Sequence, residues 1–218
     1  MFIGNDLIVD LTQTIEPSMP MFPIDPQPII YPWTTIEAHG FATNALFMVE
    51  HTGTHIDAPS HFIKNKASID KIDLERFYGR ARILNLTDFG ERGLIRSRDI
   101  KNAEHGNKIA KNEIVLIRTD WDKNWRSKKY ASLNPGLSAD AAQDLVKKRV
   151  KMVGIDTPNI DCDSKFPVHN MLLGAEIPIV ENLANLRKVP QNTFEFAAMP
   201  LKIERGTGSP VRAIAIVR

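Results

Sequence analysis

Hydrophobic positions along this chain fall into short runs separated by polar and proline-rich stretches, a pattern that predicts strands more often than helices. "LIVDLT" (7–12) is apolar and β-branched, and comparable runs follow at 81–86, 113–119, 151–156, 177–182, 194–201 and 211–218. "ALFMVEH" (45–51) reads as a further strand, running straight into a group of histidines. Two stretches read as helices. Residues 97–106 end at a glycine, and residues 138–149 open on Ser138 as an N-cap, with acids early and bases late to match the helix dipole. Between the first two strands, residues 16–28 hold five prolines, so that segment forms neither a helix nor a central strand. No repeat, low-complexity stretch or flexible linker divides the chain. The pattern predicts one mixed α/β, strand-rich domain over residues 1–218.

Composition changes this picture little. Of 218 residues, 43% are hydrophobic and 25% charged, as in ordinary globular proteins. A net charge of +2, with only short basic stretches at 126–129 and 147–149, gives no footprint for a nucleic-acid partner. One cysteine, Cys162, leaves no internal disulfide and suits a reducing compartment. No apolar run approaches the ~20 residues that span a membrane, and the start has no basic-then-apolar signal pattern. A soluble cytoplasmic protein is expected.

The chemistry concentrates in "VEHTGTHIDAPSHF" (49–62), where His51, His55, Asp57 and His61 lie within eleven residues of a chain with six histidines. The spacing His51-x3-His55 would suit a helical zinc-protease motif. Thr52, Gly53 and Thr54 make a poor helix, however, and no glutamate follows His51. All four positions are odd, so an extended chain would turn the four side chains to one side. A straight strand would still hold His51 and His55 ~13 Å apart at Cα, too far for bonds of ~2 Å to one ion. The chain must bend, and Gly53 is where a bend costs least. Imidazole and carboxylate donors together point to a metal site, one suited to Zn²⁺ or Mn²⁺. Nitrogen and oxygen ligands with a spare histidine favour an open, catalytic site over a closed structural one.

"HTGTHIDAPSHF" resembles the H-x-G-T-H-x-D-x-P-x-H-F signature of the cyclase family of metal-dependent hydrolases, which includes bacterial kynurenine formamidases and isatin hydrolases. The likeness extends to "IVDLTQTIEPSMPMFPIDP", "VLIRTDW", "GIDTPNID" and "HNMLLGAEIPIVENL". It implies a single domain of the swivelling β/β/α type. It also implies His51, His55 and Asp57 as ligands of a first ion, with Asp57 bridging to a second held by His169 and Glu181. Glu176 lies closer to His169 in sequence, but the "VENL" context matches Glu181. His61 would be the acid–base residue. One or two ions per subunit and a homodimer or homotetramer follow from the same likeness, with an N-terminal segment of a neighbour near the site. The chain departs from the family in having Pro23-Ile24-Asp25 where Pro-Gly-Asp is common, which bears on the shape of the substrate pocket.

The expected reaction is hydrolysis of a small aromatic or cyclic amide. A divalent ion lowers the pKa of water from 15.7 towards ~7, and His61 relays a proton to the departing nitrogen. A cyclisation or dehydration at the same site, or a metal-binding protein without turnover, are the alternatives. The uncoordinated base His61 counts against the last. Trp33, Trp121 and Trp125 fit either core or pocket wall, and Asp156 either orients the site or anchors a loop. Cys162, His39 and His105 receive no role.

Overall fold

The structure is a computed structural model that describes residues 2–3, 6–162 and 164–218. In chain order the strands are β1 (Phe2–Ile3), β2 (Asp6–Asp10), β3 (Ile29–Thr34), β4 (Thr43–Phe47), β5 (His55–Asp57), β6 (Tyr78–Asn85) and β7 (Leu94–Ile95). They continue with β8 (Ile114–Arg118), β9 (Gly136–Leu137), β10 (Met152–Ile155), β11 (Ile179–Glu181), β12 (Thr193–Pro200) and β13 (Gly208–Val217). The helices are α1 (Ile36–His39), α2 (Ser97–Ala103), α3 (Ala139–Lys148) and α4 (Pro167–Gly174).

Nine strands form the main sheet in the order β1-β2-β13-β12-β6-β8-β10-β11-β5. β13 also pairs with β5, which closes seven of them into a barrel. β6, β8, β10 and β11 run parallel, and the remaining ladders are antiparallel. Strand alternation explains why the parallel members read as continuous apolar runs. Ile114 and Leu116 of β8 join a core inside the barrel, with Met152, Val180, Phe194, Phe196 and Ala213. Val115 and Ile117, on the other face, pack under the helices against Ile100, Leu145, Val168 and Leu172. The helix layer and the barrel thus share the same four strands, giving a mixed α/β fold rich in strand.

Most predicted elements fall within a few residues of their expected places. α3 begins after Ser138, whose hydroxyl accepts from the Ala141 amide and ends the run of unpaired helix donors. Residues 16–28 form no helix or strand, as five prolines require. The strand predicted at 45–51 needs correction. It stops at Phe47, and it belongs to a separate two-stranded hairpin with β3, outside the main sheet. β3 was concealed by Pro32, which an edge strand tolerates. Among the described residues no helix is long and apolar enough to cross a membrane.

Candidate metal centre

Extended geometry covers less of residues 51–61 than their shared parity suggests. Only His55–Asp57 is strand, and Pro59–His61 is a 3₁₀ turn. Alternation therefore applies to β5 alone, where Ile56 enters the barrel core while His55 and Asp57 point to the other side. Gly53 supplies the bend, with φ of +64°. Its carbonyl accepts from Asn182 Nδ2 at 2.8 Å, and the Asn182 carbonyl accepts from Thr54 Oγ1 at 2.6 Å. The turn that swings His51 back beside Asp57 is thereby tied to the end of β11.

β11 runs antiparallel to β5 in a register that places Glu181 opposite His55. His169 enters from the first turn of α4, above the same face. All six residues singled out in the sequence therefore converge. His51 Nδ1 lies 2.7 Å from Asp57 Oδ1, and His55 Nε2 lies 3.3 Å from the same oxygen. His169 Nε2 lies 3.4 Å from Asp57 Oδ2 and 3.2 Å from Glu181 Oε1. The His61 ring stacks on His51 at 3.9 Å between centroids. Glu176 instead pairs with Lys66 at the surface.

Hydrogen bonds fix which nitrogens face the centre. His55 Nδ1 sits 2.9 Å from the Gly53 carbonyl, which only accepts, so that nitrogen carries a proton and Nε2 is left for the cluster. His169 Nδ1 sits 2.6 Å from Asp161 Oδ2 and donates there, again leaving Nε2. Asp161 is held in turn by the amides of Val168 and His169. Sequence gives no sign of it because its role depends on the loop that leads from β10 to α4; Asp163 of that loop is outside the described residues. Asp57 Oδ2 is buried and makes no hydrogen bond. A buried carboxylate with imidazole nitrogens at both oxygens, one of them without a hydrogen-bond donor, is suited to a divalent cation.

Protonation points the same way. Burial by itself would lower His55, but hydrogen bonding and charge from Asp57, with Glu181 behind it, raise it to about 8. His169 is likewise drawn well above the ordinary range, against burial, by Asp161, Asp57 and Glu181. Burial would raise the Asp57 carboxyl, yet the imidazoles of His169, His51 and His55 hold it well below the usual carboxylate range. The cluster attracts positive charge. His61 is the exception. Desolvation among the packed rings lowers it to about 4, the nearby imidazoles add to that, and the pull of Asp57 does not offset them.

The centre forms the floor of a cavity of about 270 Å³. Phe22 and Ile24 of the proline-rich segment close one side, and Phe62, Phe166 and Asn159 line others. Phe62 stacks on His169 at 4.6 Å. None of the three tryptophans lines this cavity. Trp121 and Trp125 pack with Tyr130 and Met19 in a small separate core, and Trp33 is exposed on the hairpin. Asp156 accepts from the amide and hydroxyl of Thr119 and the amide of Asp120, so it anchors the loop after β8.

A closed barrel bearing a buried histidine–carboxylate centre beneath an aromatic cavity defines a class of protein built to hold a divalent cation where a small molecule can reach it. The family model described as "Putative cyclase" matches residues 9–162, and the chain belongs to that family. An isatin hydrolase of Roseibium aggregatum is 33% identical over 250 residues, covering 98% of this chain and 93% of that protein. A kynurenine formamidase of Bacillus cereus is 30% identical over 210 residues, covering 94% and 95%. Among solved structures, an isatin hydrolase bound to the product analogue thioisatinate superposes with a TM-score of 0.90 at 30% identity, covering 98% of this chain and 93% of that one.

Proposed function

We propose that the protein is a metal-dependent hydrolase that opens the C–N bond of a small aromatic or cyclic amide, in the manner of an arylformamidase or a lactam hydrolase. One observation carries the reading: the buried Asp57 carboxylate at the floor of an aromatic cavity, with His51 and His55 nitrogens at Oδ1 and His169 Nε2 3.4 Å from an Oδ2 that makes no hydrogen bond. The relatives named isatin hydrolase and kynurenine formamidase support it from outside the chain.

His51, His55 and Asp57 would hold one Zn²⁺ or Mn²⁺, and Asp57, His169 and Glu181 a second. The two oxygens of Asp57 favour this division, since Oδ1 faces His51 and His55 while Oδ2 faces His169. Such an ion, when bound, supplies a Lewis acid for the amide carbonyl and lowers the pKa of water. The chain supplies the rest. Phe22, Phe62 and Phe166 offer apolar surfaces to a flat ring and keep bulk water from it. His61 brings a ring nitrogen within 4.8 Å of ligand atoms of His51 and Asp57. It accepts a proton as water is consumed and returns it to the departing nitrogen. Asp161 and the Gly53 carbonyl keep His169 and His55 in the tautomers that the centre requires. A homo-oligomer, dimer or tetramer, is part of the same proposal.

The test combines elemental analysis with hydrolysis of N-formylkynurenine and of isatin, before and after chelation. Stoichiometric zinc or manganese with chelator-sensitive opening of either substrate is expected. A metal-loaded protein inert towards both would remove the proposed substrate class, and a protein that takes up no divalent ion would remove the centre.

A further inference from the structure

His51 is oriented differently from His55 and His169. Their outer nitrogens donate to a carbonyl and a carboxylate, groups that only accept. The outer nitrogen of His51, Nε2, instead lies 3.0 Å from the hydroxyl of Thr207. A hydroxyl both donates and accepts, so by itself it leaves the tautomer of His51 open. Glu50 resolves the ambiguity. Its Oε2 lies 2.7 Å from Thr207 Oγ1 and also accepts the Thr207 amide at 2.8 Å. A carboxylate takes the hydroxyl proton, and only lone pairs remain for His51.

We propose that Thr207 and Glu50 are a positioning pair that fixes His51 as the Nε2–H tautomer and turns the Nδ1 lone pair onto the metal centre. Nδ1 then faces Asp57 Oδ1 at 2.7 Å, a contact that a proton on Nδ1 closes in the ion-free chain and that a bound cation would take over. The assignment rests on the metal-centre reading above.

The backbone around Thr207 is shaped to the same end. The Thr207 carbonyl accepts the Ala58 amide at 2.8 Å, and Gly208 pairs directly with Asp57 across β13 and β5. A methyl group on Gly208 would stand 2.5 Å from His51 Cε1 and 2.9 Å from its Nδ1. One on Gly206 would stand 2.9 Å from Glu50 Oε1. The run Gly206-Thr207-Gly208 thus lets the backbone approach both side chains and delivers one hydroxyl between them. Residue 207 lies 156 positions from His51, so neighbouring sequence gives no sign of the pairing.

The test uses the full chain as wild type, Thr207→Val, Thr207→Ser and Glu50→Ala, with Zn²⁺ affinity read by competition against a chromophoric chelator. Thr207→Val is expected to weaken Zn²⁺ binding ~10–100-fold, the usual scale for losing the outer partner of a ligating histidine, and Glu50→Ala to weaken it in the same direction. Thr207→Ser keeps the hydroxyl and should restore affinity to near wild type. Long-range ¹H–¹⁵N correlation, with the His51 signals assigned by their loss in His51→Ala, should show the Nε2–H tautomer in Zn²⁺-loaded wild type and its loss in Thr207→Val. Zn²⁺ affinity and tautomer both unchanged in folded Thr207→Val would overturn the proposal. Should that variant not fold, unchanged affinity and tautomer in Glu50→Ala would do the same. A wild-type chain that binds no Zn²⁺ defeats the metal reading instead, and the Nε2–H signals of the metal-free proteins then decide the pair on their own.

Discussion

Six side chains converge on the centre, and the surroundings of His61 disfavour positive charge. Its ring lies against His51 and near His169, with its own pKa lowered to about 4, while His55 is raised to about 8. We propose different work for these chemically identical groups. His61→Ala should keep its metal and lose ~10²-fold or more in rate. Asp57→Ala should lose the metal outright, and elemental analysis of the two variants separates the roles. Asp156 makes a second prediction at this scale. Burial, with the charge of Asp122 adding to it, raises its carboxyl to about 7, against the donors from Thr119 and Asp120. Its pKa in the unfolded chain is near 3.8. The folded state therefore holds a proton that the unfolded state has lost, and stability falls as pH rises from about 4 to about 7, then levels off. Asp156→Asn should flatten that stretch in urea unfolding of the metal-free protein. An unchanged slope would show that Asp156 is ionised in the fold.

At the scale of elements, three residues of β5 place two site groups, and the turn before them places a third. Residues 51–57 were legible as chemistry because their types are rare together. Their conformation was less legible, because alternation was extended across residues that are not strand. Gly53 is the bend that its place between the two histidines predicts, since φ of +64° is open to glycine and strained for other residues. Gly53→Ala adds that strain, roughly 1–2 kcal/mol. It also sets a methyl 3.2 Å from Ile15 Cγ1. A fall of several degrees in melting temperature and weaker metal retention are expected. A melting curve superimposable on wild type would show that the turn relaxes at no cost. α4, which brings His169 to the centre, was not predicted at all. Its eight residues begin at Pro167 after a stretch of loop, too little sequence for a helical period to show.

The whole molecule presents one feature that its own core does not explain. The β3–β4 hairpin with α1 at its tip is exposed along most of its length, and Ile29, Trp33, Ile36, Phe41, Leu46 and Phe47 all lie open. A lone two-stranded hairpin is marginal in water, and a clustered apolar surface of this kind marks an interaction face. The proposed homo-oligomer gives it a cover. Light scattering on a sizing column should show a dimer or tetramer at micromolar concentration, and a Trp33→Asp, Leu46→Asp double variant should shift it towards monomer. A monomeric wild type would remove that assignment. Metal contributes at the same scale, because an ion that binds only the folded chain stabilises it by about 2.7 kcal/mol at a hundred times its dissociation constant. Chelation should therefore lower the melting temperature of the loaded protein.

Sequence alone determined the strand-rich α/β character, since periodicity and proline placement are local properties of the chain. It also marked His51, His55, Asp57 and His61, because residue type and spacing are visible within fourteen consecutive letters. Likeness to a family added His169 and Glu181, which no local rule connects to the cluster. Tertiary structure decided what remained. Barrel closure through β13 and β5 sets Gly208 beside Asp57, and the register of β11 sets Glu181 opposite His55. Thr207 meets Glu50 and His51 only when β13 closes on β5, and Asp161 meets His169 only when the loop before α4 is folded. These partners orient the histidines: that of His51 lies 156 positions away and exists only in the folded chain, while those of His169 and His55 are near in sequence but need the loop and the bend that the fold holds.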